Sequence, residues 1–359
     1  MKKIGIISMQ RIINYGSFLQ AYGLKNIIEK NTDSQVEFID YKFEKELIEK
    51  KDDKKSVFSK IKENRTLLRY IRKKIFLKKV SDRYRKDLKI IGVEKNNFYP
   101  EVDAVVIGSD EVFNCTQAYP VGYSRNLFGK GYEKTDVLSY AASFGYTTYE
   151  LLKKYRIDKE IGKMLEKFKA ISVRDNNSLE IINKLINIKP QKHIDPVLAY
   201  DFENEIKKYK IQERDYIILY TYTGRLSAKE EKYIKKFAQK NNKKIFSIGY
   251  FSAIADKNII CNPLFVFSYF KNADYVITDT FHGSVFSIKM NTKFCTIIRK
   301  SNENKLIDLL ETLGRTDRMI KELRDIDKLY NVEIDYKNTN EIIKKEQINA
   351  INYIKKYLG

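Results

Sequence analysis

Tyr275-Val276-Ile277-Thr278-Asp279-Thr280-Phe281-His282-Gly283-Ser284-Val285-Phe286-Ser287-Ile288-Lys289-Met290 joins a short apolar run to a helix start, and that junction decides the fold class. Tyr275-Val276-Ile277 has the length and composition of a buried strand. Asp279 and Thr280 form its carboxyl-end loop, and Gly283 to Met290 reads as a helix with small residues in its first turn. A strand running through a polar loop into a helix is the unit of α/β architecture. Backbone N–H groups at such a helix start suit an anion, and His282, one of only two histidines, stands beside them.

The same unit recurs along the chain. Lys3 to Ser8 is an apolar strand, and Asn14-Tyr15-Gly16-Ser17 turns into a helix carrying Leu24, Ile27 and Ile28. Further strands are expected at Gln35 to Asp40, Asp103 to Asp110, Leu138 to Phe144 and Ala170 to Val173. Asp195-Pro196 interrupts the pattern, after which Tyr216 to Tyr220, Lys244 to Ile248, Asp274 to Thr278 and Phe294 to Ile298 alternate with helices. Two α/β domains are therefore expected. One covers 1–198 with a basic helical insertion at about 44–95. The second covers 199–330 and holds the Asp279–His282 loop, and 331–359 forms a helix, with Ile348, Ile351, Ile354 and Leu358 on one face, that reaches back to the first. A length of 359 residues fits two cores, since single cores tend to split above roughly 250–300 residues. Polar loops at strand ends imply ligand held in a cleft between the domains.

Composition narrows the function. Hydrophobic residues make up 43%, with 26 Tyr and 20 Phe, which excludes a disordered chain. No run approaches the ~20 apolar residues of a membrane span, and Ile4 to Met9 is too short for a signal peptide, so a cytoplasmic protein is expected. Cys115, Cys261 and Cys295 are odd in number and widely spaced, and only His193 and His282 could add imidazole ligands, so neither a disulfide framework nor a metal site is expected. The net charge of +21 calls for an anionic partner or surface. It peaks between Lys62 and Lys89, where twelve Lys/Arg face Glu63, Asp82 and Asp87, and where Leu68, Ile71 and Ile75 recur at helical spacing. This basic amphipathic helix is either a solvated face or a site for an anionic membrane surface or lipid phosphate.

Four polar lips follow strands. His282 is either a structural residue or a proton donor; Asp279 orients the imidazole, acts as base or caps the next turn. Arg174-Asp175 closes a strand, where a guanidinium grips carboxylate or phosphate bidentately or simply pairs with Asp. Gly108-Ser109-Asp110-Glu111 offers Asp110 as cap or base, and Asn14, Tyr15, Gly16 and Ser17 form a similar lip. No Walker loop or dinucleotide Gly-x-Gly-x-x-Gly pattern occurs.

Taken in order, Asn14-Tyr15-Gly16-Ser17-Phe18-Leu19-Gln20-Ala21-Tyr22, Gly108-Ser109-Asp110-Glu111-Val112-Phe113-Asn114, Ser172-Val173-Arg174-Asp175, Asp195-Pro196-Val197-Leu198 and Thr278-Asp279-Thr280-Phe281-His282-Gly283 resemble the polysaccharide pyruvyl transferase family. The resemblance implies a GT-B-like fold of two Rossmann-like domains facing across a cleft. It implies transfer from phosphoenolpyruvate to a sugar of a surface polysaccharide, or of its lipid-linked precursor at the inner face of the membrane, forming a pyruvate ketal without cofactor. By position His282 looks like the general acid, with Asp279 or Asp110 as base. Arg174, with Thr280, Gly283, Ser284 and Arg299, would hold the donor, and Asn14, Tyr15, Gly16, Ser17 and Ser109 the acceptor. Similar sequences carry arginine where this chain has Thr280, so Arg299, Lys300 or Lys289 is expected to supply that charge.

Two other classes compete. A GT-B glycosyltransferase using a nucleotide sugar would share the cleft, and Thr280 suits it, since fold does not fix the donor. A non-catalytic binder of nucleic acid or membrane would explain the charge, but no nucleic-acid module is visible, so a nucleic-acid partner is not expected.

Overall fold

The computed structural model describes residues 1–44, 46–48, 66–117 and 121–359. Contacts divide them into two compact units. One gathers the described residues of Met1–Lys50, Leu88–Asp201 and Asn340–Gly359, the other those of Lys51–Asp87 and Phe202–Thr339.

The first unit is built on six parallel strands: β1 (Lys2–Ile7), β2 (Ser34–Ile39), β3 (Ala104–Asp110), β4 (Asp136–Ala142), β5 (Ser172–Val173) and β6 (Gln191–Lys192), in the spatial order β2-β1-β3-β4-β5-β6. β3 is buried from Ala104 to Ser109, as expected of a strand covered on both faces. The second unit holds β7 (Tyr216–Tyr220), β8 (Lys244–Ile248), β9 (Lys257–Ile259), β10 (Tyr275–Thr278), β11 (Phe294–Ile297) and β12 (Met319–Ile320), in the order β12-β11-β10-β7-β8-β9, again all parallel.

Both sheets are therefore Rossmann-like, and each has one place where the succession of strands reverses: between β1 and β3 in the first, between β7 and β10 in the second. At such a switch point the connections leave in opposite directions, opening a crevice at the strands' carboxyl ends. Register brings those ends level: Ile7 pairs with Ile107, and Tyr220 with Thr278.

Several expectations are corrected. The basic helix exists as Leu67–Asp87, but its buried residues are Phe76, Val80, Tyr84 and Asp87, while Leu68, Ile71 and Ile75 are exposed. By contacts it belongs with the second unit rather than the first domain, because Phe76 and Val80 pack with Phe251 and Arg69 forms a bidentate pair with Glu231. The expected start of that helix, Lys62 to Arg65, lies outside the described residues. In the terminal helix Lys337–Leu358 the inward side chains are Ile343, Ala350, Tyr353, Ile354 and Leu358, whereas Ile348 is exposed. Tyr353 donates to the carbonyl of Ser139 at 2.8 Å and Gln347 to that of Leu198 at 2.9 Å, so residues 340–359 complete the first unit.

Candidate active site

Each unit carries a polar cluster at its own switch point. In the second unit β10 ends at Thr278, and Thr280 caps the helix Phe281–Lys289 by accepting from the Gly283 N–H at 2.9 Å. One helix-start donor is thus already used by the cap. Thr278 Oγ1 donates to the Tyr220 carbonyl at 2.7 Å and accepts from the Thr280 N–H at 3.1 Å, which ties the loop to β7. A Cβ at position 283 would overlap Thr278 Oγ1, so this close approach requires glycine. Ser284 is fully buried, its hydroxyl 2.8 Å from Thr296 Oγ1. His282 sits in the first turn of the helix, its ring packed near Phe281 and Phe286.

The loop before His282 is clamped by ionic contacts. The Asp279 carboxylate is fully buried. Its Oδ2 accepts from Arg299 Nε at 2.7 Å, and its Oδ1 accepts no hydrogen bond among the described residues, with Arg225 Nη1 at 3.7 Å. Arg225 also donates to the Asp279 carbonyl at 3.3 Å, as Asn302 does at 2.5 Å. Burial pushes the Asp279 carboxyl above the ordinary Asp range, against the opposing pull of Arg225 and Arg299. Arg299 spends its second edge on Glu230 at 2.9 Å. Lys289, at the far end of the helix, lies over the Phe202 ring, and Lys300 is exposed. Of the three cations named from sequence, Arg299 is the one the structure joins to this loop.

In the first unit Asn14 caps the helix Tyr15–Asn31, accepting from the Gly16 N–H at 2.7 Å, and Ser17 Oγ donates to Asp110 Oδ2 at 2.7 Å. β1 and β3 are neighbours, so their carboxyl-end loops meet. Asp110 has a positive φ of 78°, and its Oδ1 stands 3.8 Å from Arg174 Nη2. The buried Arg174 donates to Asp195 Oδ2 at 2.8 Å. Burial works against the Arg174 charge, but Asp195, Asp110, Asp175 and Glu111 hold its proton affinity above the ordinary arginine value. Ser109 faces inward: its hydroxyl donates to the Ala141 carbonyl at 2.8 Å, and its N–H to Gln20 at 3.1 Å. Tyr15 is buried as well.

The structure thus joins Ser17 to Asp110 and Arg174, and Asp279 to Arg299 with Thr280 and His282 on the adjoining helix. Sequence reasoning missed Asp195, Arg225, Glu230 and Asn302 as partners. Arg225 lies in the loop after β7, beside Gly224, whereas Arg174 directly follows β5. The other histidine, His193, is a packing residue between Tyr140 and Tyr353, and burial pushes it down to about 4. No group of three His, Cys, Asp or Glu among the described residues is placed to hold a metal ion.

A sequence profile of the family described as polysaccharide pyruvyl transferase matches residues 14–301. The chain belongs to this family. The matched span contains both clusters except Asn302, and it makes the protein a transferase. No curated protein sequence matches this family member significantly. Among solved structures it is similar to UDP-GlcNAc 2-epimerase from Methanocaldococcus jannaschii, at 11% identity and a TM-score of 0.50, with 98% of this chain and 99% of that one covered. It is similar also to the glycotransferase of kitacinnamycin, at 9% identity and a TM-score of 0.51, with 100% and 99% covered. At such identities the likeness is one of fold, and it makes this pyruvyl transferase family member GT-B-like.

Proposed function

We propose that the protein transfers a pyruvyl group from phosphoenolpyruvate to a glycan or lipid-linked glycan, closing a pyruvate ketal across two sugar hydroxyls. The observation that carries the reading is the seat of His282, in the first helical turn after β10, on a loop held by Arg225, Arg299 and Asn302. His282 gives a proton to the methylene carbon of the donor, which becomes a methyl group, and C2 becomes cationic. One sugar hydroxyl adds to C2 and loses its proton. A second hydroxyl then displaces phosphate from the same carbon, its proton leaving with the phosphate, so the sum is donor plus diol to ketal plus inorganic phosphate.

Arg174, as the resemblance implies, is assigned to the anionic donor. Where similar sequences place an arginine, this chain has Thr280, and we assign the compensating charge to Arg225. Its side chain is 28% exposed, braced on the Tyr222 ring at 4.4 Å, whereas Arg299 is engaged by both Asp279 and Glu230. Ser17 and Asp110 are assigned to the acceptor, with Asp110 or Asp279 taking the hydroxyl proton. The engagement of Asp279 with two guanidinium groups favours Asp110.

The test is a reaction in heavy water with phosphoenolpyruvate and glycan acceptors, followed by phosphate release and proton NMR. Acceptor-dependent phosphate and a ketal methyl carrying one deuterium are expected. A nucleotide-sugar donor is the second reading, favoured by Thr280. Release of nucleotide from a nucleotide sugar, with no phosphate from phosphoenolpyruvate, would establish it instead.

A further inference from the structure

The helix Leu67–Asp87 has two apolar stripes, and only one is used. Phe76 and Val80 pack inward, their cluster closed by Phe251 with Ala253 and Ile260 against it. On the opposite side Leu67, Leu68, Ile71 and Ile75 are 54%, 66%, 44% and 51% exposed. Solvated helix faces normally carry polar residues, so four adjoining aliphatic side chains turned to water need an occupant. At 100° per residue, Leu68, Ile71 and Ile75 fall within one 60° sector; Lys74 and Lys78 border it on one side, Arg72 and Lys79 on the other.

The charge identifies that occupant. Nine Lys or Arg lie on this helix against Asp82 and Asp87. Arg69 and Arg83 are committed to Glu231 and Asp87, both ion pairs on or toward the inner side. Among the described residues Arg72, Lys78 and Lys79 form no ion pair, and Lys74 lies over the Tyr70 ring at 5.0 Å, so the charges bordering the stripe can face an anionic surface. A nucleic acid would take the cations but offers its phosphates no use for aliphatic side chains. A bilayer takes both, aliphatic groups at the headgroup boundary and ammonium groups at the phosphates. No described helix is long and apolar enough to cross a membrane, so the contact would lie in the plane of the surface.

We propose that the outer face of the helix Leu67–Asp87 docks on an anionic phospholipid bilayer, Leu68, Ile71 and Ile75 entering the headgroup boundary while the flanking cations bind lipid phosphate. None of the residues of this outer face belongs to either polar cluster, and the inference stands whichever donor the transferase uses.

The full chain is sedimented with phosphatidylcholine vesicles, with and without phosphatidylglycerol. Three variants accompany it: Leu68→Ser/Ile71→Ser/Ile75→Ser, Lys74→Glu/Lys78→Glu/Lys79→Glu, and Lys232→Glu/Lys235→Glu/Lys236→Glu. The last triple makes the same charge change at exposed positions of the helix Ala228–Lys240. All substituted side chains are exposed, and circular dichroism checks the fold. Binding only to the anionic vesicles is expected, with losses on the order of a hundredfold for each of the first two triples and only a few-fold for the third. Equal loss in the second and third triples would overturn the proposal in favour of diffuse charge attraction. So would wild-type binding by the serine triple. Absence of vesicle binding, together with a drop in sedimenting mass in the serine triple, would make the face a contact between copies of the chain and overturn it as well.

Discussion

Arg299→Ala tests whether the loop carrying His282 is held by charge. Asp279 is fully buried and receives one short charge-assisted bond, from Arg299 at 2.7 Å, with Arg225 at 3.7 Å. Breaking a buried ion pair by removing one partner costs about 3–5 kcal/mol. Here Arg299 is 22% exposed and Arg225 remains, so we expect a smaller loss of about 2–3 kcal/mol near neutral pH. The sign with pH follows from the raised Asp279 carboxyl. The unfolded chain ionises this group at a lower pH than the folded one, so the penalty of its buried charge appears as pH climbs from the ordinary Asp range and is complete above the folded value. Removing Arg299 raises the folded value further. The deficit of Arg299→Ala should therefore be full above that value and shrink as pH falls through it. The chain has no Trp, so urea unfolding is followed by far-ultraviolet circular dichroism. In an Asp279→Asn background the same substitution should cost less than about 1 kcal/mol. A loss below about 0.5 kcal/mol in the native background, or an equal loss in both, would refute the clamp.

Other expectations concern the remaining site residues. His282→Gln should abolish ketal formation while leaving donor binding and the unfolding midpoint close to native, measured by NMR, calorimetry and urea titration; native turnover would remove the proton-donor role. Arg174→Lys should weaken phosphoenolpyruvate binding roughly tenfold despite the kept charge, because lysine cannot hold Asp195 and a ligand oxygen in one plane. Thr280→Val should lose about 1 kcal/mol with the cap, and Thr280→Arg more, since the buried threonine site has to admit a guanidinium. A Thr280→Arg variant as stable as the native protein would show that the cap contributes little.

Strands with buried apolar runs were legible in the sequence because each sheet is covered on both faces. β6, β9 and β12 were not, being edge pieces of two or three residues such as Gln191–Lys192, too short for any periodicity to show. The basic helix was legible as a helix but not in its facing, since Leu68-Ile71-Ile75 and Phe76-Val80-Tyr84 both recur at helical spacing. Contact with Phe251 decided between them, and nothing local announces it. The same holds at the site. Strand-end loops could be seen, but Arg225 meets Asp279 because β7 lies beside β10, and strand order is not written in either loop. Asp195 was visible only within a motif, and its bond to Arg174 depends on the fold bringing the chain after β6 beside the end of β5.

The return of residues 340–359 to the first unit bears on the order in which the protein can fold during synthesis. Chains emerge from the ribosome amino end first, and units usually fold as they appear. Here β1 to β6 are made early, yet Ala350, Tyr353, Ile354 and Leu358 are buried against that unit, and Lys2 donates to the Leu358 carbonyl at 3.2 Å. The early-made half thus waits, with apolar surface uncovered, until translation has passed the whole of the later one. The second unit's residues end at Thr339, so it is fully synthesised before the first is. A premature stop in the terminal helix would accordingly injure the part of the protein farthest from it in the message.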